Sequence, residues 1–510
     1  MSAKSIYTCL LVILTLFIHA FSHAIDTGSI TSNVKVIQGP VNGVQINQNG
    51  KTLLIYGDPR EEANPTDMVL FTHFRRDAVW AGRDEVEAGA RAWIPAAEKQ
   101  YFTACEAFWD TYPQKRFRDL SMRTSKVPVA SLANIQSVTG GDRIEWEGMK
   151  IGVVSTPGYT FGAVSYVFES DSKKIACVGD LIYGDGQILD LYSLQNAIPA
   201  CNTGGYHGYM GRAKQVIESL RNIAEEEPDI LVPARGPVVY RSQQAIDKLI
   251  GRLQTIYENY LSICALRWYW GDEYIQCCAE RMLGREEIDG LPIAKVQEQT
   301  PGWLLERGTS RILVSRSGKA LLIDCGGKRT LRDVQSMIAE GKFKAVDAIY
   351  VTHYHSDHTN AVAEAAKTFE CPVYATPIQA DLLQNPSKYH MPVQSANAIP
   401  NICVMQDGEQ MVWREFTLTF YDYPGQTLYH SGLLARRDTG ERYFFIGDSF
   451  TPYGIDDYCL LNRNFLHAGM GYNYCLRMLQ GMQPNYYLIN EHVKDPFRFS
   501  QAQLDRMMHV

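Results

Sequence analysis

The stretch AVDAIYVTHYHSDHTN, residues 345–360, decides the fold of the C-terminal half of this chain. Ala345–Val351 is an apolar run interrupted by one aspartate, which is typical of a buried strand. Three histidines and one aspartate then fall within the six positions His353–His358. A helical pattern follows, with Thr359 or Asn360 predicted as its N-cap. This order places imidazole and carboxylate groups at the carboxyl end of a buried strand, where open α/β sheets commonly carry their sites.

The spacing of these side chains suits metal binding. In an extended loop, positions two apart point to the same side, so His353 and His355 can bind one ion together. Asp357 and His358 lie past the turn and can reach a second ion, and two ions about 3.5–4 Å apart can share a hydroxide. Zinc favours nitrogen and carboxylate ligands, but four side chains cannot saturate two ions. The same half of the chain supplies three further candidates at the ends of apolar segments: His430, Asp448 and His492.

The chain repeats itself. GVQINQNGKTLLIYGDP (43–59) resembles SRILVSRSGKALLIDCGG (310–327), and five further segment pairs keep the same order along the two halves. Chance similarity does not preserve order across so many segments. The sequence therefore predicts two copies of one α/β domain, residues 25–240 and 291–510. The segment 241–290 between them has helical periodicity and is predicted to be a helical connector.

The first residues, 1–24, have the features of an export signal. Lys4 supplies a positive start, Ile6–Phe21 an apolar run, and Ser22 and Ala24 the small residues that a signal peptidase reads. A membrane anchor is the alternative, because the run is near the minimum length of a spanning helix. We expect export to a periplasmic, secreted or surface location, without stable membrane insertion after signal cleavage.

Composition excludes several other classes. The net charge is −7 with a pI of about 6.0, and no long basic run is present, which disfavours a nucleic-acid partner. The 12 cysteines lack the CxxC spacing of a zinc ribbon and do not indicate a dense disulfide framework. We therefore expect a small-molecule substrate; the oligomeric state does not follow from the sequence.

HYHSDH, residues 353–358, resembles the HxHxDH signature of the metallo-β-lactamase superfamily. Asp448, in IGDS, resembles the bridging aspartate of that family, and His492 resembles its last ligand. The resemblance implies an αββα four-layer sandwich for each of the two copies. One position departs: most members have a histidine directly after the Pro-Gly of the third motif, and here it is Gln426. His430, four residues on, is predicted to take its place.

The resemblance assigns the ligands to two divalent ions. The first ion is expected on His353, His355 and His430, the second on Asp357, His358 and His492, with Asp448 bridging. Zinc is the default, with iron or manganese as alternatives. Two divalent ions, two carboxylates and a bridging hydroxide together carry one net positive charge, which suits an anionic substrate. The implied function is an exported binuclear hydrolase, whose metal-bound hydroxide attacks an acyl or phosphoryl centre while Asp357 orients the nucleophile and handles a proton.

The N-terminal copy has lost most of these ligands. His73, Asp77 and Asp180 match His353, Asp357 and Asp448, whereas Arg75, Ala78 and Ala163 stand for His355, His358 and His430, and Ala234-Arg235-Gly236 stands near the place of His492. Arginine does not deprotonate in proteins and cannot bind zinc. We expect a copy without metal that has a structural role, or alternatively one in which Arg75, Arg76 or Arg235 holds an anion.

Two other classes of function stay open at this point. The first is a metal-binding scaffold that catalyses nothing, which the loss of ligands in one copy makes conceivable. The second is a di-iron redox protein on the same fold. Metal analysis combined with a panel of substrates separates the three.

Overall fold

The structure is a computed structural model that describes residues 27–60, 65–115, 127–189, 212–283, 299–389, 391, 393–455, 469–482 and 486–509. The predicted export signal lies outside these residues. The chain divides into two compact units; the first takes Ser125–Asp190, Gln215–Ile250 and the chain up to Asp110, and the second takes Gly251–Val510, Thr111–Thr124 and Leu191–Lys214. Within the described ranges, no helix is both long enough and apolar enough to cross a membrane.

The first unit is built on two sheets. Its described strands are β1 (Thr27–Ser29), β2 (Val34–Ile37), β3 (Gly43–Gln48), β4 (Lys51–Ile55), β5 (Met68–Leu70), β6 (Arg91–Pro95), β7 (Ile135–Val138), β8 (Arg143–Trp146), β9 (Met149–Ser155), β10 (Val164–Ser170), β11 (Lys173–Gly179) and β12 (Ile230–Pro233). Its helices are α1 (Arg76–Glu87), α2 (Gln100–Thr103), α3 (Cys105–Lys115) and α4 (Ala213–Glu225). Strands β1–β7 form one sheet in chain order, and the other has the order β12-β11-β10-β9-β8.

Alternation of apolar residues explains how the two sheets pack. Val44 and Ile46 of β3 are fully buried, whereas Asn47 of the same strand faces solvent. The Asn49-Gly50 turn joins the two strands with both residues at positive φ, as the predicted hairpin requires. Side chains from both sheets, such as Val44 and Tyr166, belong to one buried cluster, which is the core of the unit.

The second unit repeats this architecture. Its described strands are β13 (Leu304–Arg307), β14 (Ser310–Val314), β15 (Lys319–Ile323), β16 (Ala345–Tyr350), β17 (Val373–Ala375), β18 (Ile402–Val404), β19 (Gln410–Trp413), β20 (Phe416–Asp422), β21 (Ser431–Arg437), β22 (Arg442–Phe445), β23 (Phe450–Thr451), β24 (Gly454–Ile455) and β25 (Tyr487–Ile489). Helix α5 (Ser242–Ser262) spans the division between the units, and the second unit adds α6 (Leu266–Leu283), α7 (Lys328–Ala339), α8 (Ser356–Thr359), α9 (Val362–Phe369), α10 (Pro377–Gln384), α11 (Tyr472–Gly481) and α12 (Gln501–His509).

The pairing of strands agrees between the two units, apart from the additional strand β1 of the first. In the second unit β13–β15 are antiparallel and β15–β18 parallel, as are β2–β4 and β4–β7 in the first. The other sheet has the order β19-β20-β21-β22-β25, with only β22 and β25 parallel, as β11 and β12 are in the first unit. This agreement is what a tandem repeat predicts. The exact boundaries 25–240, 241–290 and 291–510 stay predictions, and the contact division falls after Ile250, within α5.

Strand β16 shows why the second unit forms layers. Ile349 and Val351 pack into the cluster that the helices cover, whereas Ala348 and Tyr350 pack into the cluster between the two sheets. The strand is therefore buried on both faces, which explains its nearly continuous apolar sequence. The predicted αββα class of fold is confirmed, and the carboxyl end of β16 delivers the histidine-rich loop to one edge of the sandwich.

Candidate metal centre

Two neighbouring parallel strands bring the first elements of the site together. Strand β15 pairs parallel with β16, so the carboxyl ends of both strands lie at the same edge. Asp324 follows β15, and its carboxylate accepts hydrogen bonds from the backbone N–H and the hydroxyl of Thr352, at 2.8 and 2.6 Å. This contact ties the start of the histidine-rich loop, residues 353–358, to the neighbouring strand.

The loop turns helical earlier than its sequence predicts. Residues Ser356–Thr359 form the short helix α8, and the N-cap of α9 is Ala361. The predicted N-caps Thr359 and Asn360 are therefore wrong, because the chain is already in a helical turn there; the Thr359 hydroxyl instead donates to the carbonyls of residues 354 and 355. Gly326 leaves room for this turn, since a Cβ at that position would lie 1.7 Å from the Asp357 carbonyl oxygen.

Two imidazoles and a carboxylate converge on a first point. His353 Nε2 lies 3.0 Å from His355 Nδ1 and 3.7 Å from Asp448 Oδ2. Both histidines are buried, at 0 and 7% exposure. Asp448 reaches them from the turn after β22, where Gly447 adopts a φ of +53°.

A second point lies on the other side of the same carboxylate. His358 Nε2 is 3.3 Å from Asp448 Oδ1, and His492 Nε2 is 3.2 Å from Asp448 Oδ2. Asp357 Oδ2 completes this group, at 3.6 Å from His358 Nε2 and 3.4 Å from His492 Nε2. Asp448 thus belongs to two groups of donors, and its role as a bridging ligand stays a prediction.

The spacing of the donors fits metal ions. Ligands held at about 2.0–2.2 Å around a tetrahedral ion stand about 3.3–3.6 Å from one another, and these donor separations of 3.0–3.7 Å lie close to that spacing. His358 Nε2 and Asp448 Oδ1 are buried and face each other at 3.3 Å, but neither makes a well-aligned hydrogen bond. Buried polar atoms are rarely left unpaired, so their convergence indicates cations that satisfy them. His353, His355, Asp357, His358, Asp448 and His492 could hold two ions.

Without metal, the negative charge of the carboxylates in this cluster is balanced by protons on its histidines. The Asp448 carboxylate raises the pKa of His492 to about 10. Burial raises the pKa of Asp448, but His492 and His358 outweigh this effect and bring it well below its ordinary value. Burial lowers the pKa of His353 well below its usual range, so this ring is neutral. Ligand imidazoles must be deprotonated, so metal binding releases protons from this cluster.

Hydrogen bonds behind the ligands fix which nitrogen each ring presents. His358 Nδ1 lies 2.8 Å from Asp324 Oδ2, and His353 Nδ1 lies 3.0 Å from the Thr352 hydroxyl, so both rings turn Nε2 toward the centre. Such partners orient ligands and raise their basicity. The sequence prediction missed Asp324. The signal that could have found it is an aspartate directly after the apolar run LLI, in a segment paired to the ligand strand.

His430 does not join the converging donors. Its ring stacks on that of His353, with centroids 4.8 Å apart, and neither of its nitrogens belongs to a group of three donors. Burial lowers its pKa to about 3, so the ring is neutral. Gln426 stands in the site instead, with its amide nitrogen 3.2 Å from Asp448 Oδ2. The sequence predicted that His430 takes the place of the histidine usually found after Pro-Gly. In the structure the ring of His430 lies behind His353, and Gln426 stands near Asp448 instead.

The corresponding place in the first unit is filled by arginines. Arg75 donates to Asp180 Oδ2 at 2.9 Å, and Arg235 donates to both Asp180 and Asp77. His73 is retained, with Nε2 3.4 Å from Asp180 Oδ2. No group of three metal donors occurs among the described residues of this unit. Two guanidinium groups thus pair with two carboxylates at the place that corresponds to the donors of the second unit.

The metal-binding cluster of the second unit opens on one side. The side chains of Asp357 and His492 are 47 and 37% exposed, whereas His353 and His358 are fully buried. The cluster is therefore accessible to solvent from the side of Asp357 and His492.

Comparison with known proteins finds similarity over part of the second unit. Residues 306–457 match the profile of the Metallo-beta-lactamase superfamily. An atrochrysone carboxyl ACP thioesterase of Aspergillus fumigatus is 27% identical over 187 residues, 36% of this chain and 53% of that protein. A hydroxyacylglutathione hydrolase of Bdellovibrio bacteriovorus is 30% identical over 101 residues, 20% of this chain and 33% of that protein. The chain thus spans about half the length of the first relative and a third of the second.

Solved structures include similar proteins. A metallo-β-lactamase of Cronobacter sakazakii is 17% identical, with 37% of this chain and 76% of that chain covered and a TM-score of 0.30. A metallo-β-lactamase superfamily protein of Sulfolobus tokodaii is 14% identical, with coverage of 42 and 80% and a TM-score of 0.30. Residues 306–457 are thus similar to the metallo-β-lactamase superfamily, whose model they match.

Proposed function

We propose that this protein is a binuclear metal-dependent hydrolase of a small acyl compound. The observation that carries the proposal is the position of Asp448, whose two oxygens lie 3.2–3.7 Å from His353, His358 and His492. One carboxylate between two donor groups is the arrangement that holds two ions close enough to act on one bond. Zinc suits this donor set best, and iron or manganese are alternatives.

The residues of the chain prepare the site before any substrate arrives. Divalent ions held there would polarise a carbonyl oxygen and supply a nucleophile from water at neutral pH. Thr352 and Asp324 fix the rings of His353 and His358 from behind. The burial of these groups excludes water and strengthens the electrostatic interactions at the reacting atoms.

Asp357 is the side chain that handles the proton. Its carboxylate is half exposed at the mouth of the cluster, 3.4 Å from His492 Nε2. Burial raises its pKa, but the hydrogen bond to His492 and the nearby His358 lower it further, so the net shift is downward. Asp357 is therefore ionised at neutral pH, can orient an attacking water molecule and can accept its proton.

An acyl centre is the better substrate class than a phosphoryl centre. The names of both relatives, a thioesterase and a hydroxyacylglutathione hydrolase, describe hydrolysis of acyl compounds. The net charge of −7 argues against a nucleic-acid substrate. We propose an ester, thioester or lactone of modest size, with an anionic group attracted by the ions.

Three further proposals complete this account. The N-terminal sequence supports export of the protein, with the signal removed. The ion pairs of Arg75, Arg235, Asp77 and Asp180 support a first unit that binds no metal and has a structural role. The pairing of strands in the two units supports a tandem repeat of one domain.

The experiment combines metal analysis with a substrate panel. Purified protein is assayed for bound metal and for turnover of ester, thioester, lactone, lactam and phosphodiester substrates, alongside His355→Ala and a control, His509→Ala, at an exposed position of the C-terminal helix. We expect two ions per chain and turnover of an acyl substrate that His355→Ala abolishes and His509→Ala retains. Tight metal without turnover indicates a scaffold instead, and bound iron without hydrolysis indicates a redox protein.

A further inference from the structure

We propose that Gln426 is the third protein ligand of the first ion, through its side-chain oxygen, and that His430 is not a ligand. The first ion then has two imidazoles, one amide and the shared carboxylate of Asp448. The second ion has two imidazoles, a carboxylate of its own and the same shared carboxylate. The two ions consequently differ in affinity.

The side chain of Gln426 has the position of a ligand. It is 4% exposed, and its amide lies 3.2 Å from Asp448 Oδ2, the same spacing as between the donors of the second ion. Its oxygen is buried and has no hydrogen-bond partner. The two ends of an amide are alike in shape, so a half-turn about its last bond puts the oxygen where the nitrogen stands. An ion bound there would satisfy the oxygen that is otherwise left unpaired.

The ring of His430 has a different environment. Its Nε2 lies 3.5 Å from the Ser449 hydroxyl and packs so closely on Gly447 that a Cβ there would be 2.4 Å from it. A Cβ at Gly447 would also lie 3.3 Å from His353 Nδ1. This nitrogen contacts the Thr352 hydroxyl and faces away from the ligand cluster. His430 therefore supports the back of His353 by stacking; its Nδ1 is buried without a hydrogen-bond partner, but neither of its nitrogens lies in a group of three donors.

In the first unit, too, the residue after Pro-Gly and the residue four places later have different environments. Tyr159 follows the Pro-Gly of TPGYT there, as Gln426 does in YPGQT. The ring of Tyr159 meets that of His73, the retained counterpart of His353, edge to face at 5.0 Å. Ala163, at the position of His430, is fully buried and bears only a methyl group. The residue after Pro-Gly faces the centre in both units, and the residue four places on does not supply a donor in the first.

An unequal pair of ions follows from the chemistry of the ligands. An amide oxygen is a neutral, weaker donor to zinc than an imidazole nitrogen or a carboxylate. Changes in groups that only orient a ligand already alter metal affinity about 10–100-fold. We therefore expect the first ion to bind at least about tenfold more weakly than the second.

The test measures metal binding and needs no substrate. The inference rests on the metal-binding part of the proposed function, and a chain that binds both ions but hydrolyses nothing would refute only the function. Zn²⁺ is titrated into the metal-free full chain by calorimetry and by competition with a chelator of known affinity. The variants are Gln426→Leu, Gln426→Glu, His430→Phe and His430→Asn, with far-ultraviolet circular dichroism to establish that each is folded.

Each outcome decides the matter. We expect two dissociation constants for the unaltered chain, loss of the weaker ion in Gln426→Leu and at least about tenfold tighter binding of it in Gln426→Glu. Both His430 variants keep the two constants within about threefold, since stacking alone is disturbed. The inference is overturned if a folded His430 variant loses the weaker ion, if folded Gln426 variants keep the original constants, or if the original chain binds its ions with equal affinity.

Discussion

Replacing Asp324 with asparagine should weaken the second ion without altering any ligand. Asp324 is fully buried and lies 2.8 Å from His358 Nδ1. Its other contacts are to the backbone N–H and hydroxyl of Thr352. Asparagine has nearly the same shape and can still accept the hydrogen bond from the Thr352 N–H. Its amide group, however, then turns two hydrogens toward His358, where a carboxylate oxygen stood.

The cost of this exchange can be worked out from the ring of His358. With Asp324 as acceptor, Nδ1 carries the proton and Nε2 keeps a lone pair for the ion. An amide donor favours the opposite tautomer, in which Nε2 carries the proton and cannot bind a metal. Loss of such a partner weakens metal binding about 10–100-fold, or about 1.4–2.7 kcal/mol.

Chelator competition with Zn²⁺ measures this effect on the metal-free chain. Asp324→Asn should raise the dissociation constant of the tighter ion by about 10–100-fold and leave the other nearly unchanged. Asp438→Asn is the matched control, because that exposed aspartate pairs with Arg316 and has no contact with a ligand. If a folded Asp324→Asn chain binds its tighter ion with the original constant, the assignment of the tautomer by Asp324 is refuted.

Three other predictions concern stability and local geometry. Burial raises the pKa of Glu98 from 4.5 to about 7, so the folded first unit holds this proton more firmly than the unfolded chain does. The free energy of unfolding should therefore fall by up to about 3 kcal/mol as the pH rises from 4.5 to 7. Glu98→Gln should make the free energy of unfolding less dependent on pH over this range. Arg75→Ala leaves Asp180 buried with fewer partners and should lower the free energy of unfolding by about 3–5 kcal/mol in urea titrations. Gly447→Ala places a methyl group 2.4 Å from His430 Nε2 and strains a left-handed backbone, so zinc titration should show both ions weakened.

Controls make these three outcomes decisive. If the free energy of unfolding depends on pH equally in Glu98→Gln and in the original chain, the raised pKa of the buried Glu98 carboxyl is contradicted. Arg83→Ala, which removes only the pair with exposed Glu87, should change the urea midpoint little; equal effects of Arg83→Ala and Arg75→Ala contradict the buried network. Gly440→Ala has a similar left-handed backbone but open space around it, so unchanged zinc binding there and altered binding in Gly447→Ala is the expected contrast.

Much of the site could be predicted from local sequence. The order apolar strand, histidine-rich loop and helix gave His353, His355, Asp357 and His358, because neighbouring residues on one loop must lie near one another. Asp448 and His492 could be added because each follows an apolar strand, and parallel strands of one sheet end at the same edge. The repeat in sequence order likewise predicted the repeated pairing of strands.

The remainder depends on contacts between distant segments. Asp324 meets His358 only because β15 and β16 pair in parallel, and a lone aspartate after a strand otherwise resembles a turn residue. The choice between Gln426 and His430 depends on which way the turn after Pro-Gly points, and spacing along the chain does not give this direction. In the first unit, the pairing of Arg235 with Asp77 and Asp180 joins residues from three separate elements.

The central claim is that two ions share Asp448 between two groups of side chains, and anomalous X-ray diffraction at the zinc edge from crystals of the zinc-loaded chain tests it most directly. The account predicts two peaks about 3.5–4 Å apart, one within about 2.2 Å of His353 and His355, the other equally close to His358 and His492. A single peak, or peaks away from Asp448, would contradict it.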